Sequence, residues 1–259
     1  MVGQHVFCRL RDDAVIAKTI DRRREVAAIV LDRGRQSGLL GFGLADTHLQ
    51  MTSAGSEGGE LGRRVQSSLT RRYRFEHGFS RAAVTPIETS WHLYNALTYD
   101  LRQVIHHQIR ASDPYLEGSS LPDLLGLRVV GRYLQERVAS YLPRLKRSDL
   151  LELFGLSHLD PADGPLERVV AAAAATICHP GAELVGCSRR VISARRAVIE
   201  VIGQRLTTSQ IASLLGVHRT TVTRLHRLCP SRRHVAAVQL QLGLRRALAV
   251  RAEGRTEGR

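Results

Sequence analysis

Along the first hundred residues, apolar and polar positions alternate between a strand-like and a helix-like rhythm. Residues 4–10 read as a strand, 21–35 as a helix, 39–45 and 47–53 as two strands, 60–75 as a helix and 79–87 as a further extended segment. A helix carrying Tyr99 follows. This order predicts an α+β unit, an antiparallel sheet with flanking helices. Asp21 is placed to cap the first helix, and Gly34 and Gly38 interrupt the chain before the strands begin. Asp46-Thr47 is the expected tight turn between two antiparallel strands, and residues 53–59, rich in Gly and Ser, the expected flexible loop where a ligand approaches.

The Tyr99 helix is expected to run over residues 90–109. At about 100° per residue, Leu93, Tyr94, Leu97, Leu101, Val104 and Ile105 fall on one stripe, and His92, Asn95, Tyr99, Gln103 and His106 on the other side. Tyr94 is thus the expected core tyrosine and Tyr99 the exposed one. Beyond Asp113-Pro114, helical segments are expected near 121–126, 129–142 and 148–154 as an extension of the first domain, and the turn-rich run 160–165 reads as a linker. The division expected is 1–127, an extension and linker over 128–160, a helical domain over 161–230, and a basic helical segment with a disordered tail over 231–259.

Within that helical domain, Thr207 and Gln210 form a capping-box pattern. Ile211, Ala212 and Leu215 make an apolar face, Gly216 permits a sharp turn, and Val217 and Val222 turn the next helix inward. A helix-turn-helix is predicted, with Arg219, Thr220, Thr221 and Arg224 displayed where major-groove readers place their contacts.

Charge agrees with that reading. The chain has 259 residues, 43% of them hydrophobic, enough for packed cores; 38 Lys and Arg stand against 24 Asp and Glu, a formal +14. Such a surplus points to a polyanion, and nucleic acid is the obvious one. Four scattered cysteines contain no Cys-x-x-Cys pair, so neither a zinc finger nor a disulfide framework is indicated, and a reducing cytoplasm fits best. The longest apolar run, 169–177, is too short to cross a bilayer, so no membrane association is expected.

The candidate chemistry lies in two places. On a strand, His48 and Gln50 project from one surface; on a helix, Tyr99 and Gln103 share a face. Together they suggest metal-assisted nucleophilic chemistry. These residues, over roughly 4–127, resemble the single-tyrosine HUH transposases, in particular the REP-associated tyrosine transposases related to small insertion-sequence transposases. That resemblance makes His48 and Gln50 the strand ligands, Gln103 the third ligand and Tyr99 the nucleophile. Gln50 stands where the family has a second His, a version known in related replication-initiator nucleases, and an amide oxygen can still ligate a hard cation. Gln103-Val104-Ile105-His106 replaces the Asn-Pro-Val-Arg-Ala-type run usual in the group.

The resemblance implies an HUH nuclease-like, ferredoxin-like fold, magnesium or manganese as cofactor, and single-stranded or hairpin DNA as substrate, with a homodimer left open. Arg63, Arg64, Arg71 and Arg72 become candidate backbone contacts. Residues 186–200 resemble the Arg-bearing helix of the bacterial replication initiator's DNA-binding domain, making Arg189, Arg190, Arg195 and Arg196 candidate phosphate contacts on duplex DNA. Two other readings stay open: a catalytically inactive, transposase-derived DNA-binding protein, and a regulator whose first domain binds a small ligand.

Overall fold

In the computed structural model, residues 1–103, 117–153 and 155–254 are described, without the side chains of 250–254. The chain divides into two units, Met1–Leu125 with Val130–Phe154, and Gly126–Val129 with Gly155–Arg259.

The first unit is α+β. Its elements are β1 (Gly3–Arg9), α1 (Ile20–Gly34), β2 (Leu39–Leu44), β3 (His48–Ala54), α2 (Gly58–Tyr73), β4 (Ala83–Ile87) and α3 (Ser90–Leu101). The strands form one antiparallel sheet in the order β2-β3-β1-β4. The β-α-β-β-α-β connectivity with this order is the split βαβ, ferredoxin-like arrangement.

Strand alternation gives the sheet two different faces. Val6 and Cys8 meet Gly62 of α2, which has no Cβ to hold the helix away. On the opposite face three glycines let α3 come close: a Cβ on Gly3 would meet Leu93, one on Gly41 would strike Leu97, and one on Gly43 would strike the Asp100 carbonyl. The outer edge of β2 is not left bare. Residues 118–120 run along it, with the Leu44 amide donating to the Gly118 carbonyl at 2.9 Å and the Ser120 amide to the Phe42 carbonyl at 3.0 Å. Helices α4 (Leu121–Leu124), α5 (Tyr133–Tyr141) and α6 (Arg147–Glu152) complete the unit.

Several local expectations are corrected. The cap of α1 is Thr19, whose hydroxyl accepts from the Arg22 amide at 3.2 Å; Asp21 lies inside the first turn, where its charge suits the helix dipole. The loop at 53–59 shrinks to a three-residue turn, because Ser53 and Ala54 stay in β3 and α2 starts at Gly58, whose amide donates to the Gln4 side chain at 2.7 Å. Only 83–87 of the segment 79–87 is strand, with Phe79 making a single bridge to Leu10. The expected continuation through Val104, Ile105 and His106 to Ile109, the break at Asp113-Pro114, and Phe154 fall outside the described residues.

The second unit is helical: α7 (Leu166–Thr176), α8 (Arg189–Ile202), α9 (Thr208–Leu214), α10 (Arg219–His226) and α11 (Arg232–Gly254). Its core is built from the small side chains Ala172, Ala173 and Ala174 of α7, Ala194, Ala197 and Val198 of α8, and Val238 of α11. Residues 160–165 lie against α11: the Ala162 amide donates to the Gln239 carbonyl at 3.0 Å and a Cβ on Gly164 would strike Leu242. Helix α11 continues past Leu248 to Gly254, where the sequence pointed to disorder.

The capping box forms as the sequence predicts. Thr207 accepts from the Gln210 amide at 3.3 Å, and the Gln210 side chain accepts from the Thr207 amide at 2.9 Å. Thr207→Ala is expected to weaken α9 by about 1 kcal/mol. Faster amide exchange confined to residues 209–214 would show it; unchanged exchange there would contradict it. No helix among the described residues is long and apolar enough to cross a membrane.

Candidate functional site

The sheet face under α3 carries the candidate chemistry. Side chains paired across antiparallel strands share a face, so His5, Phe7 and Arg9 of β1 stand beside Thr52, Gln50 and His48 of β3 in that order. His48 is half-buried, its ring stacked on Phe7 at 5.0 Å between centroids and its Nδ1 3.4 Å from the Thr47 hydroxyl. Gln50 is buried, and its Oε1 has no hydrogen-bond partner among the described residues.

The Tyr99 segment comes down on the same face. Gly43 of β2 pairs with Gln50 of β3, and a Cβ on Gly43 would fall 2.0 Å from the Asp100 carbonyl oxygen and 3.0 Å from Gln103 Cγ. Gln103 therefore sits over the strand position next to Gln50. Tyr99 is 43% exposed.

Helix geometry departs from the expected wheel. Helix α3 ends at Leu101, with Arg102 as its cap, so Gln103, itself helical, lies past that break and is buried, not displayed beside Tyr99. Tyr94 is only half-buried, stacked on the exposed Trp91 instead of entering the core. Asp100, about 20° from Leu93 on the wheel, instead lies at the edge of the apolar stripe and is buried.

Asp100 is the residue sequence reasoning missed. It is fully buried, and it receives the His5 ring at 3.0 Å and the Thr52 hydroxyl at 2.7 Å. Burial of the His5 ring opposes its charged form, yet the Asp100 carboxylate outweighs this and raises its pKa, and the nearby Gln50 amide helps without reaching hydrogen-bond geometry. Burial raises the Asp100 pKa, against the pull of His5 and Thr52. The available signal was an acid on the apolar side of an amphipathic helix, since such a group needs a partner.

Because the Gly43 clash is with backbone, it cannot be relieved by a rotamer change. Gly43→Val is expected to push the C-terminal end of α3 off the sheet and cost about 3 kcal/mol. Denaturant unfolding checks this, and an unchanged midpoint would show that α3 does not sit against β2 as described.

The predicted cations differ in their engagement. On α2, Arg63 and Arg64 both bond Glu60, at 2.7 and 2.6 Å, and hold its carboxyl down to about 2; Arg72 pairs with Glu25, and Arg71 is exposed. On α8, Arg189 and Arg190 are exposed in the first turn. Arg195 donates to the Leu184 carbonyl at 2.7 Å, and half-buried Arg196 lies near His234, whose pKa is lowered by burial and then by that charge. On α10, Arg219, Thr220 and Arg224 are exposed and Thr221 half-buried, while Val222 and Leu225 turn inward.

Among the described residues no group of three or more His, Cys, Asp or Glu is placed to hold a metal ion; one His with two amides is a different kind of donor set. No protein-family model and no curated protein matches the chain. Among solved structures, one that matches is a REP-associated tyrosine transposase bound to a REP hairpin, 14% identical, with a TM-score of 0.35, covering 42% of this chain and 69% of that one. A likeness of that size carries no argument about function.

Proposed function

We propose that the first unit is a tyrosine-dependent DNA nicking and strand-transfer module of the HUH type, acting on single-stranded or hairpin DNA, and that α9 and α10 form a helix-turn-helix that binds duplex DNA. One observation carries the first part: Gly43 brings the Asp100 carbonyl and the Gln103 side chain onto the strand position paired with Gln50, so two of the three ligands implied by the family resemblance, far apart in sequence, lie over one sheet face. The exposed polar face of α10 above buried Val222 and Leu225 supports the second.

The donor set fits a hard cation. Gln50 offers a buried amide oxygen without a hydrogen-bond partner among the described residues, an expensive group to leave unsatisfied, and His48 stands two residues away on the same face. His48, Gln50 and Gln103 would hold magnesium or manganese. When bound, the cation neutralises charge on the scissile phosphate.

Tyr99, exposed at the end of α3, supplies the nucleophile. Its phenol oxygen bonds to phosphorus, the bond from phosphorus to the 3′ oxygen breaks, the phenol proton passes to solvent, and the departing oxygen takes up a proton to become a free 3′ hydroxyl. The 5′ end stays on the protein as a phosphotyrosine until another 3′ hydroxyl attacks it. Asp100 and His5, bonded beneath, fix the strand-facing side of α3 and so the place from which Tyr99 projects.

The test is to incubate the full chain with a labelled pool of single-stranded hairpins and manganese or magnesium. A covalent protein–DNA band that survives denaturation and disappears with a chelator is expected. DNA binding without such a band, under either metal, would favour the catalytically inactive DNA-binding protein.

A further inference from the structure

Trp91 is the single tryptophan of the chain and one of its most exposed large side chains, 71% exposed in the first turn of α3. It is held flat against Tyr94, with ring centroids 5.6 Å apart and planes within 8° of parallel. One ring face is thus backed by protein while the residue as a whole stays in water. Trp is seldom left in water without a use, because burying one removes roughly 150–250 Å² from solvent.

The surroundings indicate the occupant. Trp91, His92, Asn95, Tyr99 and Arg102 are all exposed, and positions 91, 95, 99 and 102 fall within about 80° on a helical wheel. The single acid of α3, Asp100, is fully buried, so no carboxylate of the helix faces outward, and the chain carries +14. One exposed Trp face is far short of the roughly 1,000 Å² that a stable protein interface needs. It does match one nucleobase, since every base has a π-face and stacking on an aromatic side chain is tolerant of sequence.

The geometry points to Trp91, backed by Tyr94, as a stacking platform for an unpaired base of a single-stranded DNA flank that runs along α3 to Tyr99. This rests on the proposed DNA-processing role of the first unit and adds a base-binding subsite to it. The eight residues from Trp91 to Tyr99 rise about 12 Å, the span of three or four stacked nucleotides at about 3.4 Å each. The platform reads the presence of a base and not its identity, and it fixes how far from the reacting phosphate the strand is gripped.

Because Trp91 is the single tryptophan, its fluorescence reports the site directly. The Tyr99→Phe chain, which keeps chemistry out of the measurement, is titrated with end-labelled oligothymidine and with the same backbone lacking bases. Label anisotropy reads binding and tryptophan emission reads stacking. Oligothymidine is expected to quench the emission in step with binding, and the base-free strand to bind without quenching. Trp91→Ala should weaken oligothymidine binding tenfold or more, and Trp91→Phe should recover most of it. Binding with unchanged emission and an unaffected Trp91→Ala would overturn the platform and leave the proposed function standing. Absence of binding by either strand or by hairpins would remove the DNA-processing reading, and the platform with it. Quenching on self-association in the absence of DNA would assign the face to a second copy of the chain and overturn the proposal.

Discussion

Tyr99→Phe is expected to abolish covalent capture of DNA while leaving folding and hairpin affinity nearly unchanged. The phenol is exposed, so removing its oxygen opens no cavity and takes no hydroxyl from the core. The proposed chemistry depends on that oxygen alone, because no other atom of the side chain can bond to phosphorus. The expected pattern is therefore a midpoint of unfolding within about 0.5 kcal/mol of the parent, together with complete loss of the covalent band. Persistence of the band would move the nucleophile elsewhere, with Tyr94, half-buried beside Trp91, the next phenol on the same helix.

The second large effect is on stability. Asp100→Ala is expected to cost about 3 kcal/mol or more, since removing one partner of a buried pair leaves the other desolvated and uncompensated. His5 loses its carboxylate partner and Thr52 its acceptor, while the methyl left at position 100 cannot fill the space between α3 and β3. Asp100→Asn keeps the shape and one acceptor and should cost less. Equal stability of all three proteins in denaturant would show that the pair contributes nothing to holding α3 on the sheet. A loss of covalent capture in Asp100→Asn beyond its loss of stability would show that the pair also positions Tyr99.

The parts of this molecule legible in its sequence are those decided locally. Strand alternation located the β2–β3 pair to within a residue at each end, and the Thr207–Gln210 capping box, the Gly216 turn at φ 60° and the inward Val222 all follow from short-range chemistry. What escaped is set by distant segments. The His5–Asp100 pair joins residues 95 positions apart, and nothing near either residue announces the other. The same holds for residues 118–120 covering the β2 edge. Helix periodicity misplaced Tyr94 because Trp91 offers it a stacking partner outside the core, and misplaced Gln103 because α3 stops at Leu101. The Gly-rich run at 53–59 looked flexible from composition, yet Gly58 is there because Gln4 and Val6 leave no room for a side chain. Of the candidate site, the shared strand face of His48 and Gln50 could be read beforehand; the burial of Gln103 away from Tyr99, and the glycine contacts that bring α3 onto the sheet, could not.

The most direct test of the central claim is to find which atom holds the DNA. Protein captured on hairpin DNA with manganese is digested with nuclease and trypsin, and the peptide spanning residues 82–102, which contains both Tyr94 and Tyr99, is fragmented in a mass spectrometer. The account predicts a nucleotide phosphate on Tyr99. A modification on Tyr94, or an unmodified peptide after incubation with either metal, would contradict it.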